Sequence, residues 1–166
     1  MHVAGRKQQR TAWRPVAWRG GDTALVAASG VVVGIIWMGR RLAYLSRYRE
    51  AIEVFARGVT KFPNDARLLR HRGHRFITTR QFDKAIVDFE RAAKLMAGKP
   101  NEGEPDGAPG RRPSPSATLK FNIYYHLGLA YYLKGDFAKA LTAYRECMKY
   151  STDNDDKDKR KSLCTG

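Results

Sequence analysis

The sequence predicts an all-α domain, an α-solenoid of about three antiparallel helix pairs stacked side by side. Three observations lead there. First, small and bulky residues recur at a fixed period: Gly39 and Gly73, Ala51 and Ala85, and Phe55 and Phe89 are each 34 residues apart. A third copy, Gly128, Ala140 and Tyr144, keeps the same internal spacing and lies 55 residues beyond the second, which is 34 plus an insertion of 21. Second, the apolar residues within each copy follow steps of three, four and seven, which place them on one face of a helix. Third, the breaks between the two apolar runs of a copy are short and polar ("SRY", "TRQF", "KGDF"), so consecutive helices run antiparallel.

Taken in order, residues 1–31 read as a basic, poorly ordered leader, with no acidic side chain before Asp22. A fifteen-residue apolar block, Ala24 to Met38, follows the leader's "GG". It is short of the roughly 20 residues that a bilayer core requires. Its small residues precede the valines, which is the wrong order for a secretory cleavage signal. Its second half opens the first helix pair, with a leading helix over Val32–Leu45. That copy, about 32–65, places Ile35, Met38, Gly39 and Leu42 against Tyr48, Ala51, Phe55, Gly58 and Pro63. The second copy, about 66–97, places Leu69, Gly73 and Phe76 against Phe82, Ala85, Phe89 and Ala92. The third, 119–150, places Tyr124, Leu127, Gly128 and Tyr131 against Phe137, Ala140, Tyr144 and Cys147. Glycine inside a helix costs about 1 kcal/mol relative to alanine. Its return at one phase in every copy marks a close helix–helix approach, with Ala51, Ala85 and Ala140 serving it from the second helix.

Between the second and third copies lies the insertion 98–118. The stretch Met96 to Ser116 holds five of the chain's seven prolines. It reads as a loop. It is either a tolerated surface excursion or a segment whose "EPDGAP", Glu104 to Pro109, folds over the groove between the helix pairs or meets a partner. The tail, 151–166, mixes both charges without an amphipathic pattern and reads as flexible. Leu141, Tyr144 and Met148 are then expected to stay partly uncovered on the last helix. A second copy of the chain, another protein or the leader would cover them.

These copies resemble the tetratricopeptide repeat, whose signature is a large residue, two others, Leu-Gly, two others, Tyr, then Ala-x3-Phe, then Pro. The likeness covers about 32–97 and 119–150. It departs at Arg72, where leucine is usual, and at Gly58 and Cys147, where alanine is usual. No proline closes the second and third copies. The resemblance implies a right-handed stack whose concave face is lined by the first helix of each pair. By the phase of the core residues, the second copy then turns Arg67, Arg70, His74 and Ile77 to the groove. The first copy turns Val33, Ile36, Arg40 and Ala43, and the third turns Asn122, Tyr125, Leu129 and Tyr132. The groove is expected to be basic at one end and aromatic at the other.

That composition suits an acidic or carboxylate-bearing peptide. Arginine forks bind carboxylates in a bidentate manner, and tyrosines add rigid contact area. Some members of the family grip a terminal carboxylate through Lys, Arg and Asn. Arg40, Arg70 and Asn122 are loosely similar to that clamp without matching it residue for residue. The plainer alternative is that these arginines are solvated or paired with acids of neighbouring helices.

The net charge of +15 sits mostly on the first two-thirds of the chain, with +4 on residues 1–30 and +8 on 31–97. A basic field favours acidic partners. The rival reading is a basic module that meets nucleic acid or an acidic membrane surface through the leader. There Trp13 and Trp18 lie among Arg10, Arg14 and Arg19. Elsewhere a basic patch without exposed aromatics gives salt-sensitive, non-specific binding. His71, His74 and His126 are the histidines that could meet at a metal, but no Asp, Glu or Cys joins them on that face. Five arginines from Arg67 to Arg80 oppose a dication. No metal and no cofactor are expected. No nucleophile stands beside a base, and no phosphate-cradling loop or paired carboxylates appear, so no catalytic residue is expected. The two cysteines, Cys147 and Cys164, make no disulfide framework. A cytoplasmic setting is expected, with targeting or anchoring through the N-terminal segment as the alternative.

Overall fold

The computed structural model describes residues 22–104 and 118–151. They form six helices: α1 Asp22–Tyr44, α2 Tyr48–Lys61, α3 Ala66–Thr78, α4 Phe82–Met96, α5 Leu119–Lys134 and α6 Phe137–Met148. Among the described residues the one extended pairing is an antiparallel bridge between Gly103 and Thr118. The leader up to residue 21, the insertion from 105 to 117 and the tail from 152 lie outside the described residues.

The expected boundary at residue 32 falls inside α1, which begins at Asp22 and runs for 23 residues. Helix nucleation is costly but extension gains one hydrogen bond per residue fixed, so the Ala-Leu-Val-Ala-Ala stretch continues the helix backwards. No helix of the described residues is long and apolar enough to cross a membrane.

The turns within the three pairs repeat as closely as the core does. Ser46, Arg80 and Gly135 stand at the same phase, and all three are left-handed, with φ of 60°, 59° and 90°. At each, one amide bonds the carbonyl three residues back and the next bonds the carbonyl five back. The pairs are Ser46 to Ala43 and Arg47 to Leu42, Arg80 to Ile77 and Gln81 to Phe76, and Gly135 to Tyr132 and Asp136 to Tyr131. This is the Schellman arrangement, which satisfies the orphan carbonyls of the helix end.

Consecutive helices pack on one another, and α1 also meets α3, and α3 meets α5. No such contacts join α2, α4 and α6. First helices that touch while second helices stay apart bend the stack toward α1, α3 and α5, so these three line the concave side. The fold is therefore an all-α helical repeat, as the period predicts.

Each pair is closed by an aromatic ring against a glycine. A Cβ added at Gly73 would stand 2.9 Å from Phe89 Cζ, and one at Gly128 would stand 2.7 Å from Tyr144 Cδ1. At Gly39 it would run into Phe55 more tightly still. The close approach thus belongs to glycine and the aromatic residue rather than to glycine and alanine. Ala51, Ala85 and Ala140 are buried beside it. Phe55 and Phe89 are at most 1% exposed, and burial of each side chain contributes roughly 2–3 kcal/mol.

Three apolar expectations are corrected. Met38 is 58% exposed and Phe137 is 63% exposed, although both fit the helical period. Both sit at the rim of the apolar stripe, and Phe137 stands at the first position of α6, where it packs edge-on against Tyr132 at 5.5 Å. Tyr144, expected to remain partly uncovered, is buried, because Gly128 of its own pair receives it.

Arg72, which stands where the repeat usually has leucine, also finds an explanation. Its Nε donates to Asp88 Oδ2 and its Nη2 to Oδ1, both at 2.7 Å, across the α3–α4 interface. Asp88 is buried, so an ion-paired fork replaces the usual apolar contact.

Two predictions follow from the packing. Gly39→Ala forces the Phe55 ring aside and lowers the unfolding free energy by about 1–2 kcal/mol, overpacking outweighing the gain in helix propensity. Gly34→Ala, in the same helix with nothing within 4 Å of the added Cβ, raises it by up to about 1 kcal/mol. Urea titration of both variants checks the contrast. Arg72→Leu strands the Asp88 carboxylate and costs about 3 kcal/mol, whereas R72L/D88A together recover most of that loss. Equal stability of the single and double variants would contradict the pairing.

Candidate functional site

The concave side holds a cavity of about 230 Å³ between α1, α3 and α5. Arg40 and Tyr44 of α1 form one wall, and Arg70, His71, His74 and Arg75 of α3 form the floor. Asn122 of α5 and Glu104 of the insertion close it. Four of the expected site residues, Arg40, Arg70, His74 and Asn122, therefore meet in one place.

The helical start of α3 decides where its arginines go. Asp65 caps the helix, accepting from the amides of Arg67 at 3.0 Å and Leu68 at 3.4 Å. Arg67 then folds back on that cap, donating from Nη2 to Asp65 Oδ2 at 2.6 Å and from Nε to Oδ1 at 3.1 Å. It does not reach the main cavity and lines a separate one of about 80 Å³ with Trp37, Glu102 and Leu119. One turn later, Arg70 points into the main cavity. Its Nη2 lies 2.7 Å from Glu104 Oε2, and Asn122 Nδ2 donates to the same oxygen at 2.5 Å. His71 Nε2 stands 4.0 Å from the other oxygen, Oε1. One carboxylate is thus held by groups from two helices that lie 52 residues apart in sequence.

The insertion is fixed in turn by α5. Thr118, at the N-cap position, makes no side-chain cap bond. The amide of Leu119 donates instead to Glu102 O at 2.8 Å, and that of Lys120 to Asn101 Oδ1 at 3.2 Å. These bonds satisfy donors that a helix N-terminus otherwise leaves orphaned. Together with the Gly103–Thr118 bridge they bring the start of the insertion onto the groove. Of "EPDGAP", Glu104 lies at the groove, where it meets Arg70 and Asn122; Pro105 to Pro109 lie outside the described residues.

The histidines are kept neutral and their tautomers are set by neighbours. An arginine only donates and a carbonyl only accepts. Arg70 Nη1 at 3.0 Å makes His71 Nδ1 an acceptor, and Arg75 Nη2 at 2.8 Å does the same for His74 Nδ1. His126 Nδ1 donates to Asn122 O at 2.6 Å. Burial pushes His126 down to about 3, with Arg70 adding to the effect. Burial likewise holds His71 and His74 well below the ordinary imidazole range, followed by Arg70 for His71 and by His126 for His74. The rings pack as apolar plates. His71 stacks on Phe55 at 5.6 Å, and His126 stacks on Phe89 at 5.8 Å and lies 4.3 Å from His74. Among the described residues no cluster of His, Cys, Asp and Glu is arranged to hold a metal.

The expected aromatic end of the groove departs from the sequence reading. Tyr125 stacks on Phe121 at 5.8 Å and meets His126 edge-on at 5.2 Å. Leu129 is half-buried, and Tyr132 is exposed beside Phe137. None of the three lines the main cavity. Helix α5 is apolar on several sides, so its spacing gave no sharp phase beyond Asn122. The groove residues missed were Tyr44, His71, Arg75 and Glu104. Tyr44 is four residues after Arg40, whose Nη2 donates to its hydroxyl at 3.1 Å. That spacing was the available signal. Arg10, Trp13, Arg14, Trp18 and Arg19 of the basic leader lie outside the described residues.

Two family profiles match the chain, both described as tetratricopeptide repeat, over residues 38–102 and 121–154. Together they take in more than half of it, and the chain belongs to the tetratricopeptide repeat family. Among solved structures, the Yersinia enterocolitica type III secretion translocator chaperone SycD is similar with a TM-score of 0.62 at 14% identity, over 82% of this chain and 90% of that one. The N-terminal domain of stress-induced protein-1 from C. elegans is similar at 0.60 and 12% identity, over 82% and 97%. The second repeat domain of Spaghetti (RPAP3), bound to the HSP90 peptide SRMEEVD, is similar at 0.57 and 15% identity, over 72% and 92%. Among curated proteins nothing matches the sequence.

The depressed histidines set an acid limit on the fold. In the unfolded chain they take up a proton near pH 6.5, whereas in the folded protein His126 resists until about 3. Below 6.5 the unfolded state therefore binds more protons, so stability is full above that pH and declines as pH falls. Each such histidine contributes a slope of up to about 1.4 kcal/mol per pH unit. Urea midpoints measured from pH 7.5 to 5 should fall, and His126→Phe should flatten the curve.

Proposed function

We propose that the chain is a protein-binding scaffold whose concave groove takes an extended, carboxylate-bearing peptide. The observation that carries this reading is the convergence of Arg70 and Asn122 on a single carboxylate oxygen, with Arg40 and Arg75 beside it in the same cavity. Among the described residues, Arg40, Arg70 and Arg75 stand around this carboxylate in one cavity, a basic wall that suits an acidic ligand. Burial strengthens each charge-assisted bond relative to water. The neutral histidines and Tyr44 supply apolar and hydrogen-bonding walls for the rest of a peptide.

Related structures support the reading by analogy of fold. One is described as SycD in complex with a peptide of the translocator YopD, and another as bound to the peptide SRMEEVD. The latter peptide carries three acidic side chains, the kind of ligand that the arginines here would favour.

Titration with SRMEEVD and with its carboxylate-free counterpart SRMQQVN, amidated at the C-terminus, tests this. The acidic peptide should bind more tightly, and its affinity should fall as salt rises. Arg70→Glu should weaken it about thirtyfold or more. Arg40→Glu, at a more exposed position, should weaken it without loss of helical circular dichroism. Equal binding of the two peptides would overturn the reading.

A further inference from the structure

We propose that Glu104 is a built-in competitor for the groove: the insertion after the second helix pair places its own carboxylate where a partner's would sit, and a partner enters by exchange with it. This rests on the groove reading above and concerns the regulation of the same site.

Glu104 does not belong to the repeated framework. It lies eight residues beyond the end of α4, in the segment that interrupts the period. Yet its side chain is buried and is gripped by Arg70 and Asn122, the two groups best placed to hold an external carboxylate. The contact is therefore that of a ligand delivered by the chain itself.

Exchange is physically favoured over simple release. Arg70 is deeply buried, and losing its carboxylate outright would leave an uncompensated charge, which is strongly destabilising. A partner carboxylate that replaces Glu104 returns the same acceptor to Arg70 and Asn122. The bonds exchanged are alike, so modest differences in affinity decide the occupant. Release also need not open a helix. Among the described residues, the segment from Asn101 to Glu104 is joined to the start of α5 by the Lys120 amide on Asn101 Oδ1 and by the Gly103–Thr118 bridge, which includes the Leu119 amide on Glu102 O, and no residue of it belongs to a helix. The apparent affinity for a partner is then reduced by the fraction of molecules in which Glu104 is seated.

The alternative is that Glu104 is a fixed neutraliser of Arg70, needed for the groove to keep its shape. Removing it would then weaken partner binding or leave it unchanged. The two predict opposite directions.

The test uses the full chain as wild type, E104Q and E104A, titrated with SRMEEVD and SRMQQVN. Glutamine keeps the shape and removes the charge; alanine also vacates the position. If Glu104 competes, both variants bind SRMEEVD about tenfold or more tightly than wild type, with no gain for the carboxylate-free peptide. A second probe is the chain's own segment as a peptide, NEGEPD. It should bind E104A in trans and bind wild type at least tenfold more weakly. Wild-type binding of SRMEEVD that equals or exceeds in strength that of the folded variants overturns the competitor and leaves the groove reading standing. Failure of NEGEPD to bind folded E104A also overturns it. Failure of SRMEEVD on wild type and variants alike sinks the groove reading, and the competitor with it.

Discussion

Glycine against the tip of an aromatic ring is the contact on which the rest of the fold depends. It occurs once in each pair: Gly39 with Phe55, Gly73 with Phe89, Gly128 with Tyr144. A glycine in mid-helix sacrifices propensity, and only close packing offsets that loss. Here the ring occupies the space a Cβ would need, so two helix backbones come near each other and the buried alanines at 51, 85 and 140 fit beside them. The left-handed turns at Ser46, Arg80 and Gly135 then reverse the chain at a constant distance from that contact. Pair geometry is therefore set by residues of the core, with Phe55 also lining the groove cavity. Neighbouring first helices touch and second helices do not, and the concavity follows.

The groove gathers positive charge that the scaffold alone would not tolerate. Arg40, Arg70 and Arg75 lie close together, and burial holds both Arg70 and Arg75 below their ordinary pKa. Two features relieve the strain. The adjoining histidines stay neutral and accept or donate hydrogen bonds without adding charge. Glu104 supplies a carboxylate from outside the repeats. The same segment caps α5, so the electrostatics of the site and the start of the third pair are coupled through a few residues of the insertion.

How much of this was legible depends on whether a residue sat in the period. The spacing of Gly73, Ala85 and Phe89 repeats in the other copies, and the helices, their pairing and their turns are all readable from it. Arg40, Arg70, His74 and Asn122 share the cavity because their phase is fixed by those same core residues. Arg67 has the right phase but stands in the first turn of α3, where its own cap Asp65 attracts it more strongly than an open groove. Helix phase does not contain that local competition. Tyr125, Leu129 and Tyr132 were misplaced because α5 is apolar on several sides and period alone does not orient it. Arg72 appears as an anomaly in the repeat until Asp88, sixteen residues on, is brought beside it. Glu104 lies in a stretch with no periodicity, and nothing short of three dimensions attaches it to Arg70.

A repeat that is locked by small and aromatic residues leaves the opposite stripe of each first helix free to vary. In this chain the stripe carries more arginine than its own helices carry acid, and the deficit is met by an interruption of the repeat. Shortening the insertion would remove the cap of α5 and the counter-charge of Arg70 together, so loop and groove must be read as one unit. A carboxylate seated by hydrogen bonds rather than by the apolar core is also the part of the site that can leave without opening the helix pairs. The stable element and the exchangeable element are thus separate in sequence, adjacent in space, and held by different forces.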